Sequence, residues 1–361
     1  MTSNVSVFWR LLFITGVAVV IATGVALGGE YSFDTPSDDR WQYPFNFNAG
    51  HRATASCFGS TSDPNYTTFN DRDGIFIVAW RTIAAVPPGL PLKSYDVRLV
   101  RVSLCHQGAT PDSPTGATWP IDLTPDEWST MAYPISDVDP GQPLELFGAG
   151  FGPIYTYTNW VETSPYVGGD DISLEPRDPY PFVFDGNTAN KKHVEDNVKD
   201  RFTPLPWAVG VPIGYTPGGQ PAPFPVQFDI NLSLSAERVL SYCQEQLAGG
   251  RLFVVVTSLR VTSMQAASGF PTFFTKEGAP LNPAAFAPLL SMTIVPTGDV
   301  NGDGRRGAID TASLWGCLAG PEVAPPAFRG LTAAQCKFLF DFDEDGDVDL
   351  ADVAIYVRRF N

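Results

Sequence analysis

Two twelve-residue stretches near the C-terminus repeat one spacing of oxygen-bearing side chains around a glycine. The clearer one runs Asp341-Phe-Asp343-Glu-Asp345-Gly346-Asp347-Val348-Asp349-Leu-Ala-Asp352. Counted from Asp341, carboxylates stand at positions 1, 3, 5, 9 and 12, glycine at 6 and an apolar residue at 8. Alternate residues of a tight loop can point inward, and Asp347 at position 7 adds its backbone carbonyl. A hard cation that takes about six to eight oxygen ligands, Ca²⁺ above all, needs this pattern. Gly346 permits a turn that a side chain would block.

The upstream copy places Asp299, Asn301, Asp303, Gly304 and Asp310 at positions 1, 3, 5, 6 and 12, with the Arg305 carbonyl at 7. Arg306 stands at position 8, where an apolar residue is usual, and Gly307 at 9, where an oxygen ligand is usual. Two Ca²⁺ sites are therefore expected, the first weaker and its packing on the second looser. Each loop leads into a helical stripe: Leu314, Cys317 and Leu318 after Asp310, and Val353, Tyr356, Val357 and Phe360 after Asp352. Thr332-Ala-Ala-Gln335 predicts a capped third helix with Cys336 and Phe340 inward.

Gly298 to Gly304 and Asp341 to Asp352 resemble the EF-hand-type repeats of type I dockerins, which also end their loops on Asp. The likeness covers residues 298–361. The copy with Cys317 and Cys336 is similar to dockerin-like tails on secreted bacterial proteins. The resemblance implies a small α-helical module that folds on calcium. It also implies docking onto a cohesin-like or cell-envelope partner outside the cell. This chain departs from the pattern in Pro321, Pro325 and Pro326 between the loops, and in Ala308-Ile309 against Leu350-Ala351.

Residues 30–295 predict a mainly β body. Pro and Gly stand at 33 each, which favours short strands and many turns over long helices. Ile75–Trp80 and Leu252–Val256 are continuous apolar runs of strand length, expected to be buried on both faces. Between Tyr95 and Cys105 the apolar parity flips, which predicts a β-bulge at Leu99-Val100. Val226–Leu234 alternates strictly, and Ser235 is expected to cap a helix that ends at Gly249-Gly250. Leu144–Phe147, Ile154–Tyr157 and Ser291–Val295 predict further strands, and Thr124-Pro-Asp-Glu127 a short helix through Met131. Residues 163–190 and Pro204–Gly219 predict loops. Together these give a β-sandwich, jelly-roll-like, with the helical module at its end. The order of an apolar strand, the Val86-Pro-Pro-Gly89 turn, the Tyr95–Cys105 strand and a late Phe274-Thr-Lys276-Glu277 segment is similar to jelly-roll carbohydrate-binding modules. That likeness implies polysaccharide as a partner and identifies no ligand residue.

The N-terminus predicts an export signal. Arg10 precedes an apolar run from Leu11 to Leu27, and Ala26-Leu27-Gly28 suits cleavage after Gly28. Retention of residues 1–28 as an anchor is the alternative. No later segment is apolar enough to span a membrane, so cleavage leaves no membrane association. A net charge of −16 argues against a nucleic-acid partner, which needs a basic surface. Outside the cytoplasm cysteines pair, and Cys317–Cys336 and Cys57–Cys105 are the expected bridges. Cys243 falls on an apolar stripe with Val239, Leu240 and Leu247.

No catalytic constellation emerges. His51, His106 and His193 lack metal-ligand spacing. No nucleophile elbow or phosphate loop occurs. Asp170, Asp171 and Glu175 are open to three readings: a glycosidase pair, a body calcium site, or solvated carboxylates. Trp41, Trp160 and Trp207 either stack on sugar rings or fill the core. The expected function is therefore a secreted, non-catalytic binding or envelope protein with a tethering tail. The alternative is an extracellular carbohydrate-active enzyme.

Overall fold

Apolar runs of strand length build two antiparallel sheets in the computed structural model, which describes residues 28–43, 50–59, 73–108, 121–125, 127–128, 142–166, 178–214, 223–259 and 271–360. The first sheet orders its strands Gly29–Phe33, Leu289–Val295, Asp96–His106, Phe224–Asp229 and Val211–Pro212. Thr272–Phe274 joins it, pairing with both Asp96–His106 and Thr54–Ser56. The second orders Lys191–His193, Tyr180–Phe184, Glu145–Gly150, Arg251–Thr257, Ile75–Arg81 and Asp38–Gln42. Among the described residues four α-helices follow or interrupt them: α1 (Leu234–Ala248), α2 (Ala308–Cys317), α3 (Ala333–Phe340) and α4 (Leu350–Phe360).

One apolar cluster takes side chains from both sheets. Phe76, Val78, Trp80, Val254 and Val256 come from the second, and Val100, Val102, Leu104, Val226, Phe228 and Met292 from the first. A smaller cluster lies on the other face of the second sheet, where Ile75, Ile77, Phe253 and Val255 meet Trp160. Ile75–Arg81 and Arg251–Thr257 are thus covered on both faces, as their unbroken apolar runs require. Each such side chain contributes about 1.5–3 kcal/mol on burial.

Several local expectations shift. The bulge lies one residue earlier than Leu99-Val100: Thr293 pairs with Leu99 and Ile294 with Val97, leaving Arg98 as the extra residue. Val226–Leu234 is cut short, because the strand ends at Asp229. Ser235 does not cap α1. The Asn231 carboxamide accepts from both the N–H and the hydroxyl of Ser233, and Ser235, Ala236 and Glu237 are left-handed. Regular helix begins after them and ends at Gly249-Gly250 as expected. Ile154–Tyr157 forms a turn, because the Ile154 and Tyr155 N–H groups are taken by the Asp178 carboxylate. The loop expected over 163–190 contains the strand Tyr180–Phe184, and two short strands, Ala208–Val209 and Val211–Pro212, interrupt the one over 204–219. The helix expected from Thr124, the carboxylates Asp170, Asp171 and Glu175, and the apolar N-terminal segment through Leu27 lie mostly or wholly outside the described residues. Among those described, no helix is long and apolar enough to cross a membrane.

Cys317 and Cys336 form a disulfide joining α2 to α3. Cys57 and Cys105 do not pair, contrary to expectation; both are buried thiols, as is Cys243. The segment Pro271–Phe274 lies between Cys57, one residue past the strand Thr54–Ser56, and the strand Asp96–His106 that carries Cys105. Two strand spacings of about 4.8 Å hold the thiols too far apart for a bridge.

The C-terminal helices share the body's core. Phe338 of α3 meets Tyr95 at 5.7 Å and Tyr31 at 6.3 Å between ring centroids. The Ser94 hydroxyl donates to the Asp299 carbonyl at 2.6 Å, and the Gln335 amide to the Pro88 carbonyl at 3.0 Å.

Candidate metal centre

Five hydrogen bonds close the loop Asp299–Asp310. The Asp299 carboxylate accepts the Gly304 N–H at 2.8 Å. Asn301 accepts from Asp303 at 3.2 Å, and Asp303 from Arg305 at 2.7 Å. Asp310 accepts from Val300 and from Gly307, both at 2.8 Å. The loop Asp341–Asp352 repeats all five at equivalent positions. Asp341 accepts from Gly346 at 3.1 Å, Asp343 from Asp345 at 3.4 Å and Asp345 from Asp347 at 3.2 Å. Asp352 accepts from Phe342 at 2.6 Å and from Asp349 at 2.8 Å. Positions 1 and 12 thus fasten each loop while leaving lone pairs on their oxygens.

Glycine is needed at position 6 in both copies: Gly304 has φ +80 and Gly346 φ +106. Gly298 is needed for space as well, since a Cβ there would meet the rings of Tyr356 and Phe342 near 3 Å. Its N–H donates to the Leu339 carbonyl and so ties the entry of the first loop to the end of α3. α2 and α4 both start at loop position 10, where Asp310 and Asp352 place negative charge in the first turn.

The fit to a divalent cation rests on two atoms. Asp299 and Asp341 are buried, and the Oδ1 of each has no hydrogen-bond partner. A buried carboxylate oxygen without a donor is costly unless a cation satisfies it. Around Asp341, oxygens of Asp343 and Asp345 lie within 4.8 Å of its own, and Asp347, Asp349 and Asp352 form a second such group. Burial, followed by repulsion from Asp352, pushes the Asp341 carboxyl up to about 6, and Asp343 and Asp352 are raised for similar reasons. Asp303 in the first loop is lowered instead, by the Asn301 amide and the Arg305 N–H. In the second loop positions 1, 3 and 5 converge as one group and positions 7, 9 and 12 as another, whereas the carboxylates of the first loop form no comparable group among the described residues. The Arg305 side chain is exposed; its N–H, not its guanidinium, belongs to the loop. One oxygen of the Asp347 carboxylate accepts the Glu322 N–H, and the other is buried without a hydrogen-bond partner.

Position 8 separates the copies. Val348 is fully buried and its carbonyl accepts the Ala319 N–H. Arg306 reaches out, donating to the Thr297 carbonyl at 2.7 Å with its guanidinium 4.7 Å from the Phe360 ring centre. On α4, Val353, Tyr356 and Phe360 pack inward as expected, but Val357 is exposed.

The body holds a charged cluster that motif reasoning missed. Carboxylates of Asp39, Glu162 and Glu277 converge on the Lys276 ammonium, which also donates to the Ser37 carbonyl at 3.2 Å. Burial raises the Asp39 carboxyl. Arg251 pairs with Asp38 beside it and donates to the Tyr157 and Trp160 carbonyls. The cluster staples residues 160–164 onto the edge strand Asp38–Gln42. Its only sequence trace is the run Asp38-Asp39-Arg40. Trp160 and Trp207 fill the core, while Trp41 stacks on Tyr43 at 4.9 Å. His106 is buried against Phe224, and burial lowers it to about 4. His193 stacks on Tyr180, and His51 is exposed.

No family model, no curated protein and no solved structure matches the chain.

Proposed function

We propose that this chain is an exported, non-catalytic binding or envelope protein. In this reading residues 30–295 form a β-sandwich of jelly-roll type, and residues 298–361 a dockerin-like module that holds two Ca²⁺ ions, the second more tightly. The observation that carries the reading is the five-bond closure repeated in both loops, each with one orphaned aspartate oxygen at position 1. Oxygen-only ligands favour a hard cation over zinc or copper. Ile309 and Trp315 on α2 and Leu350 and Val357 on α4 are each about half exposed or more, and offer an apolar surface to a cohesin-like or envelope partner.

Calorimetric titration of the chelated full-length chain with Ca²⁺ tests this. Two events are expected, Asp341→Ala removing the tighter and Asp299→Ala the weaker. A flat titration of the unsubstituted protein would sink the calcium reading.

A further inference from the structure

A cleft lies on the body, away from both acidic loops. It encloses about 580 Å³ between the turn after the strand Glu145–Gly150 and the last two turns of α1. Its floor includes Tyr242 and Gln246, both about 95% buried. The Tyr242 hydroxyl is committed, donating to the Phe253 carbonyl at 2.9 Å. Gln246 lines the cleft, and its buried Oε1 has no hydrogen-bond partner. A buried amide oxygen of this kind costs free energy until a donor reaches it.

Phe151, Tyr155 and Tyr157 line the cleft together with Lys191 and Glu245. They are held before any ligand arrives. Phe151 packs edge-on against Phe253 at 5.3 Å. The Tyr155 hydroxyl donates to the Pro165 carbonyl at 2.8 Å, and its N–H to Asp178. The Tyr157 ring lies over Gly249, where a Cβ would come within 2.7 Å of it. Lys191 is set by the Phe182 ring, 4.3 Å from its ammonium.

We infer that this cleft binds one or two units of a neutral glycan, the aromatic rings covering the C–H face of a pyranose and Gln246 accepting from one of its hydroxyls. Fixed aromatic faces beside a few convergent polar groups suit a ring that is apolar on its faces and hydroxylated at its rim. An acidic sugar fits less well. Glu245 lines the same cleft as Lys191 and acts on it electrostatically, and a chain of net charge −16 repels polyanions. The inference rests on the reading of the body as a binding domain, and is independent of calcium.

The test uses the full chain with cello-, xylo-, laminari- and mannohexaose, and with hexagalacturonate, each at about 5 mM, in saturation-transfer NMR and calorimetry. Binding of at least one neutral oligosaccharide is expected, with a dissociation constant on the order of 10 µM to 1 mM. Tyr157→Ala is expected to weaken it about tenfold or more, and Gln246→Leu similarly. Tyr157 is partly exposed, so its variant is expected to melt with the parent and report on binding alone. Neutral-glycan binding that Tyr157→Ala leaves unchanged overturns the cleft but keeps the body as a binding domain. Binding of hexagalacturonate alone overturns the neutral class. No binding by any of the five overturns the inference entirely, and the calcium titration still stands or falls separately.

Discussion

The loops Asp299–Asp310 and Asp341–Asp352 share a hydrogen-bonded skeleton and differ in charge. The first carries three carboxylates against two guanidinium groups, whereas the second carries seven carboxylates and no cation of its own. Geometry is set by positions 1, 6 and 12, which hold the same residue types in both copies. On the calcium reading, affinity is expected to follow the positions that the backbone leaves free. The first loop spends those on Arg306, which grips Thr297 and Phe360, and on Gly307, which has no side chain. A loop can therefore keep its shape after losing much of its pull on a cation, because ligand charge and loop closure are carried by different residues.

The largest break in this comparison is expected from Asp341→Ala with Asp345→Ala. In calcium, at about a thousand times the dissociation constant of the tighter site, the parent gains about 4 kcal/mol that the variant lacks. Thermal melts with and without chelator check this; equal chelator sensitivity of variant and parent refutes it. The Cys317–Cys336 bridge closes a loop of 19 residues and is expected to contribute about 3 kcal/mol. Because it joins α2 to α3, Cys317→Ser with Cys336→Ser is expected to weaken both loops together. Loss of only one calorimetric event in that variant would show the loops to be uncoupled.

pH sharpens the contrast. The Asp341 carboxyl is raised to about 6 by burial and by Asp352. A group raised on folding gives stability that is present below its unfolded value and lost as pH rises through its folded one. Without metal, the melting temperature is expected to fall as pH climbs from about 4 to about 6. With calcium bound the trend is expected to reverse, since the ion needs the ionised carboxylate. Melts at fixed ionic strength read both slopes, and matching slopes would exclude Asp341 as a ligand. The smallest change expected is a gain: Gly307→Asp restores an oxygen at position 9 of the first loop. A Cβ at Gly307 meets Asp310 only at 3.8 Å, so the side chain has room. An increase in affinity of the weaker site of about tenfold is expected in calorimetry.

The two acidic loops were the most legible part of the chain, because a repeated closure made by alternate residues of one short loop must be written consecutively. The helices after Asp310 and Asp352 and the box Thr332–Gln335 were legible for the same local reason. Among strands, the doubly buried apolar runs stood out. Tyr180–Phe184 did not, because Pro181 argues against a central strand. Asp38–Gln42 escaped notice because it is polar; its carboxylates Asp38 and Asp39 meet Arg251 and Lys276, and its Arg40 donates to the Glu162 and Ser164 carbonyls, all more than a hundred residues away in sequence. The cleft was invisible for a like reason. Tyr157 and Gln246 come together only when α1 packs on the second sheet.

Phe338, wedged against Tyr95 and Tyr31, has a mechanical consequence. The segment after Val295 is no slack leash. The Gly28 N–H reaches Glu344 of the second loop, and Ser94 grips Asp299 of the first. A load on α2 or α4 passes straight through side chains into the sheets. Whatever holds the tail also aims the cleft.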